Sequence, residues 1–171
     1  MFALRFVKAA IPEWAARYPV DYDTSIETNI APLVKARGYF TQAEFIELCR
    51  WKTPRSKPLV KSNAEDYIRA TTQTALSTPS ERLRIEVLTL LNGVSWATAS
   101  VLLHFVHHDP YPILDFRALW SLGVDVAQER YDFDFWWEYT QFCRQLASES
   151  GVSMRGLDRA LWQYSKTNQG K

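Results

Sequence analysis

Apolar residues recur at three- and four-residue spacing along most of the chain, the period of helices that bury one face. No stretch of useful length alternates apolar and polar residues. The pattern therefore predicts an all-α fold, a compact multi-helix bundle in one domain over residues 1–171. Phe2 to Ala10 reads as a first helix, and Pro12 suits the first turn of a second that reaches Tyr18. Thr24 to Arg37 follows, with Gly38 placed as its C-terminal cap. Thr41/Glu44, Ser62/Glu65 and Thr78/Glu81 each have capping-box spacing, which predicts helices over Gln42–Lys52, Asn63–Leu76 and Pro79–Leu91. Another helix is predicted from Trp96 to about His107, and a short one after Asp115 that stops before Gly123. Asp132 or Asp134 opens a helix reaching Glu149. Ser153 opens the last, which carries Leu157, Leu161 and Trp162 on an apolar face. Only Tyr111–Leu114 reads as extended, and Thr53–Pro58 reads as the one long irregular loop.

Composition narrows the class. The 171 residues suffice for a real core, and 47% hydrophobic with 23% charged residues is ordinary for a globular protein. The seven Trp residues read mostly as core. Two cysteines, Cys49 and Cys143, cannot supply the four thiolates of an iron–sulfur cluster, so no such cluster is expected. Both lie in amphipathic helical stretches, which predicts buried, reduced thiols. No run approaches a membrane span and the Met1–Arg5 start lacks a secretory layout, so the expectation is a cytoplasmic protein with no membrane partner.

A net charge of +1 argues against a protein that coats nucleic acid, although the distribution of charge matters more than its sum. Lys52, Arg55, Lys57 and Lys61 form a basic segment, and Asp125 to Asp134 is acidic.

The richest chemistry lies between residues 79 and 123. Leu91-Asn92-Gly93-Val94-Ser95-Trp96-Ala97-Thr98-Ala99 reads as a tight turn entering a helix, with Gly93 free to take positive φ and Ser95 able to cap. The first N–H groups of such a helix lack internal partners and favour an anion, such as one DNA phosphate. Tyr111-Pro112-Ile113-Leu114 then leads to Asp115, 22 residues after Gly93 and at the mouth of the next helix. An ordinary αα-hairpin and an N-cap aspartate account for the same residues.

Taken together, the turn and the acid resemble the helix-hairpin-helix DNA glycosylase superfamily, and Tyr-Pro-Ile-Leu-Asp resembles the corresponding segment of its adenine-excising members. The family pattern is apolar-Pro-Gly-apolar-Gly, two variable residues, then Thr-Ala. Here Asn92 replaces the Pro and Ser95 the second Gly. The resemblance is specific over about residues 79–123, follows the helical layout over roughly 41–165, and does not reach the first 40 residues.

It implies that Gly93, Val94, Ser95, Trp96, Ala97 and Thr98 grip a phosphate of double-stranded DNA carrying a damaged or modified base. Asp115 would stabilise positive charge on the sugar or activate water. No cofactor is expected to be required here, although many members hold a monovalent cation, K⁺ or Na⁺, on hairpin carbonyls; here these are those of Thr89, Leu91 and Val94. Bifunctional members carry a lysine just before the Thr-Ala pair. This chain has Ala97 there, which implies base removal without strand cleavage. The expected enzyme is a monomer.

Lys52 and Arg55 are candidate phosphate contacts, Trp51 is a candidate for base stacking, and Arg117 is a candidate phosphate contact or partner of Asp115. A solvated basic loop, a buried Trp and a surface ion pair are the plainer accounts of the same residues. His104, His107 and His108 share a helical face beside Asp109, a spacing that can bind zinc but more often complements a helix dipole. Asp21, Asp23 and Glu27 read as caps, or as a source of a second carboxylate. Two other function classes fit: a non-catalytic DNA-binding module, and an all-α protein-interaction domain.

Overall fold

A computed structural model describes residues 2–125 and 130–170. Among them it is all-α, with ten α-helices and no strand. Two compact units divide the chain: the described residues of Met1–Val20 with Pro110–Lys171, and Asp21–Asp109. The segment 79–123 is thus shared, with the turn in the second unit and Asp115 in the first. No helix among the described residues is long and apolar enough to cross a membrane.

In the Asp21–Asp109 unit, a π-helical turn over Ile26–Ile30 leads into α2 (Ala31–Arg37), ended by Gly38 at φ +81°. Next come α3 (Gln42–Lys52), α4 (Lys57–Lys61), α5 (Glu65–Ser77), α6 (Glu81–Leu88) and α7 (Trp96–Val106). Phe45, Leu48, Ile68, Ile85, Val101 and Leu103 are buried in its core. Of the three expected capping boxes, only Thr41/Glu44 forms. The Ser62 hydroxyl donates to the Leu59 carbonyl instead, and Glu65 accepts from the Gln42 N–H. Thr78 is replaced as a cap by Ser80, which accepts from the Leu83 N–H. The expected loop Thr53–Pro58 is also helical: Pro54 opens a 3₁₀ turn over Pro54–Ser56, and Pro58 lies in the first turn of α4, where a missing N–H costs nothing.

The other unit contains α1 (Ile11–Ala16), α8 (Phe116–Ser121), α9 (Phe133–Glu149) and α10 (Met154–Asn168). Asp132 and Ser153 cap α9 and α10, as their spacing predicts. The helix expected over Phe2–Ala10 shrinks to a 3₁₀ turn at Lys8–Ala10. Its backbone is spoken for elsewhere: the N–H groups of Ala3 and Arg5 donate to the carbonyls of Leu122 and Ser121. Of the acidic stretch between Asp125 and Asp134, residues 126–129 lie outside the described residues. Cys49 and Cys143 are buried free thiols, and burial pushes the Cys49 thiol up to about 12.

Candidate nucleic-acid interface

Helix α6 winds down through tight bonds from the N–H groups of Thr89, Leu90 and Leu91 to the carbonyls of Glu86, Val87 and Leu88. The Val94 N–H then donates to the Leu91 carbonyl at 3.1 Å and closes the turn, with Gly93 at φ +79° inside it. A Cβ at Gly93 would stand 2.9 Å from Val60 Cγ2 and 3.1 Å from Val60 N. Conformation and close approach to α4 both require glycine there. Ser95 adopts extended backbone and its hydroxyl accepts from the Thr98 N–H, so it is the cap of α7. The Ala99 N–H makes an intrahelical bond to the Ser95 carbonyl. The N–H groups of half-buried Trp96 and Ala97 precede it and lie at the open end of the helix.

The turn is held by a residue the sequence did not point to. Asn63, 3% exposed, donates to the carbonyls of Val60 at 2.9 Å and Asn92 at 3.0 Å, and its Oδ1 accepts from the Asn92 N–H at 2.8 Å. The contact spans 29 residues, and Asn63 lies just before α5, where its identity resembles any polar residue at a helix start.

A cleft of about 530 Å³ runs along the turn, lined by Thr53, Ser56 and Leu59 on one side and by Thr89 to Ser95 with Thr98 on the other. Thr89, Leu91 and Val94 all line it. Three neutral carbonyls in one turn are suitable chemistry for a monovalent cation, and the Leu91 carbonyl keeps one lone pair beyond its bond to Val94. The segment from Arg50 to Lys61 borders the cleft and carries five cations with no acid. Arg55, Lys57 and Lys61 are exposed and Lys52 is half-buried. Trp51 is engaged: its indole N–H donates to the Tyr22 carbonyl at 2.8 Å and its ring meets Phe105 edge-on.

In the other unit, half-buried Asp115 caps α8, with Oδ1 accepting from the Arg117 N–H at 2.9 Å. The preceding run from Tyr111 to Leu114 is buried and belongs to no helix or strand. It lies against α9. The Tyr139 hydroxyl donates to the Ile113 carbonyl at 2.9 Å, and Arg144 Nε donates to the Pro110 carbonyl at 2.8 Å. The Tyr111 ring stacks on Trp136 with centroids 5.6 Å apart, and the Arg144 guanidinium lies 4.7 Å from the Tyr111 centroid. Burial, above all, holds the Tyr139 phenol well above its ordinary range, so it remains a donor. Arg117 extends over the Phe116 and Trp162 rings.

The histidines do not share a helical face. Helix α7 stops at Val106, and His107 is its extended C-cap. The nitrogens of His107, His108 and the Asp109 carboxylate lie within 4.8 Å of one another. Arg84 Nη1, however, stands 2.6 Å from His107 Nε2, and the Asp109 N–H donates to His107 Nδ1 at 3.0 Å. Burial first, then the Arg84 guanidinium, push this imidazole down to about 4. The ring is neutral, its two nitrogens face the Arg84 guanidinium and the Asp109 N–H, and a metal would have to displace one of these neighbours. Asp23 is fully buried, and its carbonyl accepts from the Glu27 N–H at the start of the long helical stretch.

No family model, no curated protein and no solved structure matches this chain.

Proposed function

We propose that the protein is a monofunctional DNA glycosylase, which removes a damaged or modified base from double-stranded DNA and leaves an abasic site. One observation carries the proposal: a glycine-turned hairpin with an open helix start is followed, 22 residues after Gly93, by a half-buried carboxylate at the start of α8. The N–H groups of Trp96 and Ala97 at the open start of α7 hold one phosphate, and Arg55, Lys57 and Lys61 add charge beside the same cleft. Flipping the target base costs a few kcal/mol, which these contacts offset.

At the sugar, the bond between C1′ and the base nitrogen breaks and the bond electrons leave with the base. The carboxylate of Asp115 stabilises the positive sugar and takes a proton from the attacking water, whose oxygen becomes the new hydroxyl on C1′. Ala97 offers no amine, so no Schiff base forms at that position and the strand stays whole. Thr89, Leu91 and Val94 would hold a monovalent cation, whose charge would strengthen the phosphate grip.

Base release from duplexes carrying a panel of oxidised, alkylated, deaminated and otherwise modified bases tests the proposal. Strand cutting that appears only after alkali is the expected result. Cutting without alkali would overturn the monofunctional assignment, and release of no base would overturn the activity. A second reading, a DNA-binding module without catalysis, is favoured by the bond from the Arg117 N–H to Asp115, because that cap gives the acid a purely structural role.

A further inference from the structure

Helix α8, which Asp115 caps, and helix α10 carry a charge pattern that the hairpin does not explain. Helices α8 and α10 together hold four cations, Arg117, Arg155, Arg159 and Lys166, against one acid, Asp158. That acid is 8% exposed and is bonded to Arg155. The outward charge is therefore positive. It is also interleaved with rings. The Arg117 guanidinium carbon lies 5.0 Å from the Phe116 centroid and 5.6 Å from the Trp162 centroid, and Lys166 Nζ lies 4.8 Å from that same Trp162 centroid. Trp162 is half-buried, not part of a closed apolar face, and Tyr18 meets it edge-on at 5.3 Å. Phe116, the residue directly after Asp115, is 51% exposed. A core ring would be covered, and Phe116 is not. Cations and rings in alternation match a strand of nucleic acid, whose phosphates and base faces alternate in the same way.

We propose that Phe116, Arg117, Trp162 and Lys166 form a strand-contact surface for DNA, in which Arg117 and Lys166 take backbone phosphates and the exposed Phe116 ring stacks on an unstacked base. The assignment rests on the reading of Asp115 as the acid that acts on a DNA sugar. It adds a contact surface beside that acid, separate from the hairpin residues.

Duplex DNA containing one unpaired base, titrated by fluorescence anisotropy across a salt series, tests it. Each phosphate contact removed lowers the slope of log affinity against log salt by about 0.9. The double variant Arg117→Ala/Lys166→Ala is expected to lose about twice that, while Arg117→Lys/Lys166→Arg retains the wild-type slope. Phe116→Ala is expected to weaken binding about tenfold with the slope unchanged, because stacking carries no charge. Circular dichroism confirms that each variant is folded.

An unchanged slope in the folded double variant, with a reduced slope in Lys57→Ala/Lys61→Ala, would overturn the surface and leave the hairpin grip standing. Loss of polyglutamate binding in the double variant, with DNA binding intact, would assign the surface to an acidic protein and overturn it too. No salt-dependent DNA binding by the wild type would overturn this surface and the glycosylase reading together.

Discussion

The turn at Gly93 and the run before Asp115 are both short, irregular segments, and they are held by different means. The turn is held by one neutral side chain and one missing one. Asn63 fills its hydrogen bonds from inside, and the absent Cβ of Gly93 lets α4 close on it. The run before Asp115 is held by large groups: a stacked aromatic pair, a guanidinium over a ring, and a phenol donating to the backbone. The first arrangement leaves the N–H groups of Trp96 and Ala97 at the open start of α7. The second buries its backbone and presents a single carboxylate. A turn whose backbone packs close against a neighbouring helix is anchored by small groups, whereas a buried run can be gripped along its length by large ones.

That contrast can be broken at each end. Gly93→Ala has the largest expected effect on stability. Positive φ and a Cβ 2.9 Å from Val60 Cγ2 should together cost about 2–4 kcal/mol. Gly38→Ala is the control, since Gly38 has φ +81° with nothing within 4 Å of its Cβ, and should cost only about 1 kcal/mol. Urea denaturation of both variants checks the pair, and equal losses would show that the contact with α4 is slack. Asn63→Ala removes the bonds on both sides of the turn and leaves the Asn92 N–H without its acceptor, which should cost about 2 kcal/mol. It should also weaken DNA binding, because the grip loses its shape. If stability falls while affinity holds, the turn is not the phosphate site. Tyr139→Phe is the mildest change. It deletes one buried donor to the Ile113 carbonyl, for about 1 kcal/mol, and should lower base release more than DNA affinity. An equal drop in both would make Tyr139 a core residue with no special tie to Asp115.

Much of the scaffold was legible in the sequence because it depends on neighbours. Ser95, Asp115, Asp132 and Ser153 cap the helices that their spacing indicates, each through an N–H two or three residues away. Gly93 reads as a turn residue from its own identity. What failed depends on distant partners. The chain after Met1 is not helical because Ser121 and Leu122 take its N–H groups. Ser62 and Thr78 do not cap because a nearby carbonyl and Ser80 claim their bonds first. Pro54 and Pro58 look like loop residues until they are seen in first turns. Asn63, Tyr139 and Arg144 hold the two segments across 26 to 34 residues, and no local pattern marks such contacts. The interleaving of Arg117 and Lys166 with Phe116 and Trp162 is likewise a property of the packed helices.

The central claim is that Asp115 acts on a sugar and does more than cap a helix. Asn caps nearly as well as Asp, so Asp115→Asn keeps the cap and removes the charge. The most direct test measures single-turnover base release and duplex affinity for the wild type and this variant on the most reactive base of the panel. The prediction is that release falls by about a hundredfold or more while affinity and stability hold. Release at the wild-type rate by the variant would contradict it and leave Asp115 as a cap.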